Sequence, residues 1–205
     1  MKHIAILLSI FGLLIFNNAK ADSPLTSTGF SSAYQNEAIV IAASEAEGIL
    51  NLELMEYLAD KSRPVDIKMA VINRLSWSMD GKTNSNTFFD YLQKHKGYKS
   101  ENDFRKNGSG DELLCMAYLK AMDNYFVVDD ALKYAELAVE KNKGSYTFNI
   151  IAALIKAQKV FDSDWCEVYK TTNNVRTDNS LNSDMNEEAK AIIFEYMDLY
   201  SSYCK

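Results

Sequence analysis

"VVDDALKYAELAVEKNKGS", residues 127–145, decides the fold class. Ala131, Leu132, Ala135, Ala138 and Val139 fall at i, i+1, i+4, i+7 and i+8, which is the stripe of an amphipathic helix. Asp129 and Asp130 put negative charge at its start. Lys143-Gly144 close it with a cation and a residue suited to a C-terminal cap. The next stretch, "SYTFNIIAALIKAQKVF" (145–161), repeats the device with Phe148, Ile151, Ala152 and Ile155 in register. The preceding one, "DELLCMAYLKAMDNYF" (111–126), places Leu114, Ala117, Tyr118 and Ala121 on one stripe.

Further out the same logic reads more helices. "EAIVIAASEAEGIL" (37–50) and "NLELMEYLAD" (51–60) form a pair, with Gly48 and Asn51 at the joint. In "SRPVDIKMAVINRLSW" (62–77), Pro64 suits a first helical turn, Asp66 complements the helix dipole there, and Ile67, Val71 and Leu75 make the stripe. "TFFDYLQKHK" (87–96) reads as a short aromatic helix, and residues 99–110 as a polar linker loop rich in turn signals. "DWCEVYK" (164–170) reads as a short helix, 171–183 as a loop and 184–204 as the closing helix. Asp184 and Glu187 stand at capping-box spacing. No apolar stretch alternates with period two for long, and only Pro24 and Pro64 interrupt a chain rich in helix formers. The expectation is one all-α domain over 37–204, with a first helical half (37–98) and a second (111–204). An extended N-terminal arm (22–36) precedes it.

Residues 1–21 read as a secretory signal peptide. Lys2 gives a positive start, 4–16 an apolar run, and Ala19-Lys20-Ala21 a small-x-small cleavage pattern. Thirteen residues reach only about 20 Å as a helix, short of a hydrocarbon core of roughly 30 Å. Cleavage after Ala21 and a periplasmic or extracellular location are expected, with no membrane insertion afterwards. Loss of Lys2 and Lys20 leaves twenty-eight acids against twenty bases, about −8. With no basic run, nucleic acid is excluded as an expected partner.

Cys115 sits among apolar neighbours and reads as a core side chain. A Cys166–Cys204 bridge would staple the C-terminal helix of an exported chain; the alternative is two unpaired thiols. Past the signal segment, His95 is the only imidazole, in a lysine-rich helix end, so histidine triads and multi-histidine metal sites have nothing to be built from. "DNSLNSDMNEE" (178–188) alternates oxygen ligands, but Ser183 and Ala189 stand where a calcium loop needs Gly and Glu. Glu136 and Glu140 belong on the exposed face of their helix rather than in an acid–base pair. "NGS" at Asn107 matches a glycosylation triplet, of use only in a host with that pathway. No catalytic residue, cofactor or metal ligand is assigned.

Small residues give the opening stretch a further character. Ala131 and Ala138 are seven apart with Tyr134 and Ala135 between them, and after a short turn Ile151, Ala152 and Ile155 follow. Over about 113–159 this resembles a helix B of a tetratricopeptide repeat followed by the next helix A, and "AYLKA" (117–121) resembles the end of the preceding helix A. The proline that usually follows helix B is replaced by Lys143-Gly144, and "MDNYFVVDD" (122–130) is longer than the usual turn. The resemblance implies stacked α-hairpins in a short right-handed solenoid, and a protein- or peptide-binding scaffold without catalysis. The helix-A segments 113–125 and 146–160 would then line a groove. Candidate surface residues are Trp77, Tyr118, Tyr125, Asn149 and Trp165. The two tryptophans either stack on a sugar ring or a peptide aromatic, or seal the seam between hairpins. The alternative from another class is a small-ligand protein or histidine-independent enzyme with a Tyr/carboxylate pocket between the halves.

Overall fold

Helix starts are the most explicit local instructions in the chain. Asn51, Ser100, Ser109, Ser145, Asp164 and Asn186 each accept a first-turn backbone N–H through a side-chain oxygen. These are donors that an α-helix leaves open at its N-terminus. At Ser109 the arrangement is reciprocal, because the Ser109 backbone N–H donates to the Glu112 carboxylate at 2.9 Å.

A computed structural model describes residues 22–79 and 81–205, with residues 76–79 as backbone alone. The signal-peptide reading of 1–21 lies outside the described residues. Among the described residues the chain is all-α, with no strand. The order is η1 (Phe30–Tyr34, 3₁₀), α1 (Ala38–Glu45), α2 (Leu52–Ala59), α3 (Val65–Met79), α4 (Asn84–Lys96), α5 (Glu101–Asn107) and α6 (Gly110–Asp123). Then come α7 (Asp129–Lys141), α8 (Tyr146–Val160), α9 (Trp165–Thr177), α10 (Glu187–Met197) and η2 (Asp198–Tyr203, 3₁₀).

The core is centred on α6, which buries Leu113 to Leu119 without a break as well as Ala121 and Met122. It packs against α7 and α8 on the C-terminal side, and against α2, α3 and α4 on the other. Its fit to α7 depends on small residues: Ala117 and Ala121 of α6, and Ala131, Ala135 and Ala138 of α7, are all buried. Short side chains at a seam let two helix axes approach closely. Gly110 shows the same constraint, since a Cβ there would stand 1.7 Å from Asn142 Nδ2 at the end of α7. From α7 to α9 each helix packs chiefly on a sequence neighbour, α7 on α6 and then α8, and α8 on α9, whereas α10 packs chiefly on η1.

Four expectations need correction. Residues 99–110 are not a linker loop: they carry α5, capped by Ser100 and anchored by Phe104, whose buried ring meets Tyr98 at 5.0 Å, Phe89 at 5.8 Å and Tyr134 at 5.9 Å. The arm 22–36 is wound rather than extended. Ser23, Leu25, Thr28 and Phe30 are buried, and η1 wedges between α3 and α10. Asn73 holds it there, accepting from Ser31 N at 2.9 Å and donating to Thr28 O at 3.0 Å. The region 171–183 is not all loop, because α9 continues to Thr177. The capping pair is also different: Asn186 caps α10, while Asp184 accepts from Ser145 Oγ (2.5 Å) and Thr147 N (2.8 Å), closing the start of α8 from a distance.

Candidate functional site

The amphipathic stripe of α7 is narrower than its sequence pattern. Ala131, Tyr134, Ala135 and Ala138 are fully buried against the core, whereas Leu132 and Val139 are only half-buried and form the edge of a groove. The groove continues over α8, where the short side chains of Ala152 and Ala153 make its floor, and ends at Thr171 of α9. It is open to solvent, encloses about 430 Å³ and is mostly apolar. Large side chains at 152 and 153 would fill it; alanine leaves it open.

Its electrostatics are one-sided. Glu136 and Glu140 stand exposed on the α7 wall and form no ion pair among the described residues. On the opposite wall Lys156 is paired with Glu167 at 3.4 Å. The groove therefore presents two carboxylates outside any ion pair among the described residues, beside an apolar floor. Asn149 closes one end, its amide donating to Ser145 O at 2.7 Å and Lys143 O at 3.0 Å. That leaves its side-chain oxygen facing no donor among the described residues.

Of the five candidate surface residues, only Asn149 lies in this groove. Tyr118 is not a surface residue. It is fully buried in α6, its hydroxyl accepts from Asn73 Nδ2 at 2.9 Å, and its ring stacks on Phe30 at 6.4 Å. The segment 113–125 is closed for the same reason, since α6 is the hub of the core and has no free face to offer. Tyr125 is half-buried beside Phe126, and Trp165 is exposed at the start of α9; both stand at the helix turns, away from the groove. Trp77 lies in α3, and its side chain is outside the described residues. Cys166 and Cys204 form a disulfide that ties α9 to the chain end after η2.

The remaining chemistry-bearing groups are engaged structurally. Burial pushes the Cys115 thiol up to about 12, so the nucleophilic thiolate is suppressed. His95 is exposed on the last turn of α4, stacked on Tyr91 at 4.3 Å. The Tyr/carboxylate encounters are tie points: Tyr34 donates to Asp66 at 2.9 Å and Tyr98 to Glu112 at 2.8 Å. Where the halves meet, at α3 and α6, the space is filled by Met69, Ile72, Asn73, Cys115 and Tyr118. Asp178 is occupied by Ser180, and no three His, Cys, Asp or Glu among the described residues converge on a metal-sized site. No helix among them is long and apolar enough to cross a membrane.

Sequence reasoning put Glu136 and Glu140 on an exposed face, but did not see that Leu132, Val139, Ala152 and Thr171 would join them around one groove. The signal that could have found it was the Ala152-Ala153 pair beside a stripe wider than its buried part. Compared with protein-family models, curated proteins and solved structures, the chain matches none.

Proposed function

We propose that this is an exported, non-catalytic scaffold that holds a segment of a partner protein in the α7–α9 groove, with α6–α8 as a tetratricopeptide-like pair and its successor. The observation that carries it is the groove itself: an open apolar floor of alanines bordered by the unpaired carboxylates of Glu136 and Glu140. Apolar floor and negative wall together suit a peptide with an aliphatic anchor flanked by Lys or Arg. The buried alanines between α6 and α7 and the sequential packing of α7, α8 and α9 support the repeat-like reading. The acidic composition favours basic partners over anionic surfaces.

Affinity capture from the envelope fraction of the native host, run in parallel with a Glu136→Lys/Glu140→Lys double variant and with Ala152→Arg, tests this. A partner retained by the native protein and lost with both variants is the expected result. Glu136 and Glu140 are exposed and Ala152 is half-buried at the edge of the core, so circular dichroism of the variants checks that the fold is retained. Capture that is indifferent to both, or the absence of any specific partner, refutes the assignment.

A further inference from the structure

Arg74 stands apart from the other arginines of the chain. Arg63 pairs with Asp60, Arg105 with Asp130 and Glu101, and Arg176 with Asp198. Arg74 has no ion pair or hydrogen bond among the described residues, although acids outnumber bases along the chain. It is also the exposed member of residues 71–75, a stretch of α3 that is otherwise buried. Its surroundings are set by η1 and α1, which both rest on α3. Asn73, next to Arg74, accepts from Ser31 N at 2.9 Å and so fixes η1 beside it. A cleft of about 120 Å³ opens between these elements, with Arg74 on one wall. No carboxylate lines it among the described residues; Glu37 and Glu45, at the two ends of α1, are exposed outside it.

The other polar groups of the cleft divide into donors and acceptors. Ser31 is only 5% exposed, yet its hydroxyl borders the cleft and makes no hydrogen bond among the described residues. A nearly buried hydroxyl without a protein partner is costly unless something else satisfies it. The side-chain amide of Gln35, at the rim, is likewise unengaged among them. The hydroxyls of Ser32 and Ser44 donate instead to Gly29 O at 3.1 Å and Ile41 O at 2.7 Å, which leaves their oxygens free to accept. Val40 and Ile41 supply the apolar side.

Together these groups select a ligand. A guanidinium flanked by neutral donors suits a planar oxyanion, which accepts two parallel N–H bonds from arginine. One positive charge balances a carboxylate; a phosphate dianion would leave its second charge unmatched in an acidic chain. The oxygens of Ser32 and Ser44 call for a hydroxyl beside that carboxylate, and Val40 and Ile41 for a short aliphatic body. We propose that the cleft binds a small aliphatic α-hydroxycarboxylate, held at its carboxylate by Arg74 and Ser31. The cleft shares no residue with the α7–α9 groove, so the outcome here does not bear on the peptide assignment.

Calorimetric titration at low ionic strength with lactate, α-hydroxybutyrate, propionate and inorganic phosphate, each to about 20 mM, tests the proposal. At least one of the two hydroxy acids is expected to saturate, with propionate binding more weakly. The affinity should fall on the order of tenfold or more in Arg74→Gln. Ser31→Ala should weaken binding by a smaller factor without moving the urea midpoint, because that hydroxyl holds nothing within the chain. Circular dichroism of both variants establishes that the fold is retained. No saturation by either hydroxy acid overturns the proposal, as does undiminished affinity in Arg74→Gln. Tighter binding of phosphate overturns it too and assigns the cleft to a phosphate group. Equal affinity for propionate overturns the contact of the ligand hydroxyl with Ser32 and Ser44.

Discussion

The regions on either side of α6 are held together by different means. On the C-terminal side, α7, α8 and α9 are thirteen to fifteen residues long and bury apolar faces on the helix next in sequence. On the N-terminal side, α1, α2 and α5 are seven or eight residues long, too short to hold a helix on propensity alone. Of these, α5 is anchored by the buried Phe104 ring, while the α1–α2 joint and the rest of this side are tied by buried polar links between distant residues. Asn73 joins the arm to Tyr118, and Asn84 accepts from Leu50 N at 2.9 Å and donates to Gly48 O at 2.8 Å. Asp123, at the end of α6, accepts from the Asn84 and Ser85 backbone N–H groups and so closes the start of α4. Lys68 of α3 lies fully buried with its ammonium 2.8 Å from Asp111 of α6. Packing can be built from neighbours; polar satisfaction has to be exact in space, and so draws on the whole chain.

The contrast breaks most readily at Lys68–Asp111. Asp111→Ala leaves a buried ammonium without its counter-charge and is expected to cost about 3–5 kcal/mol in urea denaturation. Lys68→Met should cost less, because the remaining carboxylate is partly exposed. Equal costs would show that the pair is not what joins α3 to α6. Next is Asn73→Leu, which strips partners from Thr28 O, Ser31 N and the Tyr118 hydroxyl. A loss of about 2–3 kcal/mol is expected, with faster proteolysis of the arm as the local readout.

On the other side, Ala138→Leu crowds the α6–α7 seam and should cost about 1–3 kcal/mol. No polar group is lost there, so a near-neutral result would mean the alanine spacing is incidental.

The smallest effect is a pair of opposite pH signs. At Asp130, burial opposes ionisation, but the hydrogen bonds from Arg105 and Lys120 outweigh it and hold the carboxyl below its ordinary 3.8. Its contribution is full above that value and fades as pH falls through the lower folded one. At Asp123, burial prevails over the bonds from Ser85 and Asn84 and raises the carboxyl above 3.8. Its contribution is present below 3.8 and lost as pH rises through the folded value. Asp130→Asn should therefore cost under about 1 kcal/mol near pH 7 and progressively less as pH falls below 3.8 through the lowered folded value. Asp123→Asn should instead gain on the native protein as pH rises over the same range. Urea midpoints of the three proteins check both signs.

These differences explain what could be read from the residues. The helices from α6 to α8 were legible because their stripes and caps lie within a dozen residues of each other. Residues 99–110 were misread because "ENDFRKN" is polar all round except for Phe104, and one aromatic anchor leaves no periodicity to see. The end of α9 was missed because "TTNNVRT" is made largely of weak helix formers. Tertiary contacts override that propensity: Thr172 is buried, and Arg176 is tied to Asp198 at 2.8 Å and lies 4.2 Å from the centre of the Phe194 ring. Since Thr171 forms the far wall of the groove, missing the end of α9 meant missing the groove.

What the sequence by itself determined was the all-α class, the positions of the principal helices and the acidic surface, because helical period, capping oxygens and net charge are local or additive properties. The tertiary structure decided that Asp184 caps α8 rather than α10, that Tyr118 is core, and that Glu136 and Glu140 border an open floor. It also decided that Trp165 meets Tyr203 across a disulfide. Each of those depends on which distant residue arrives at a given point in space. A polar or aromatic side chain carries no mark of its partner until the backbone has brought the two within a few ångströms.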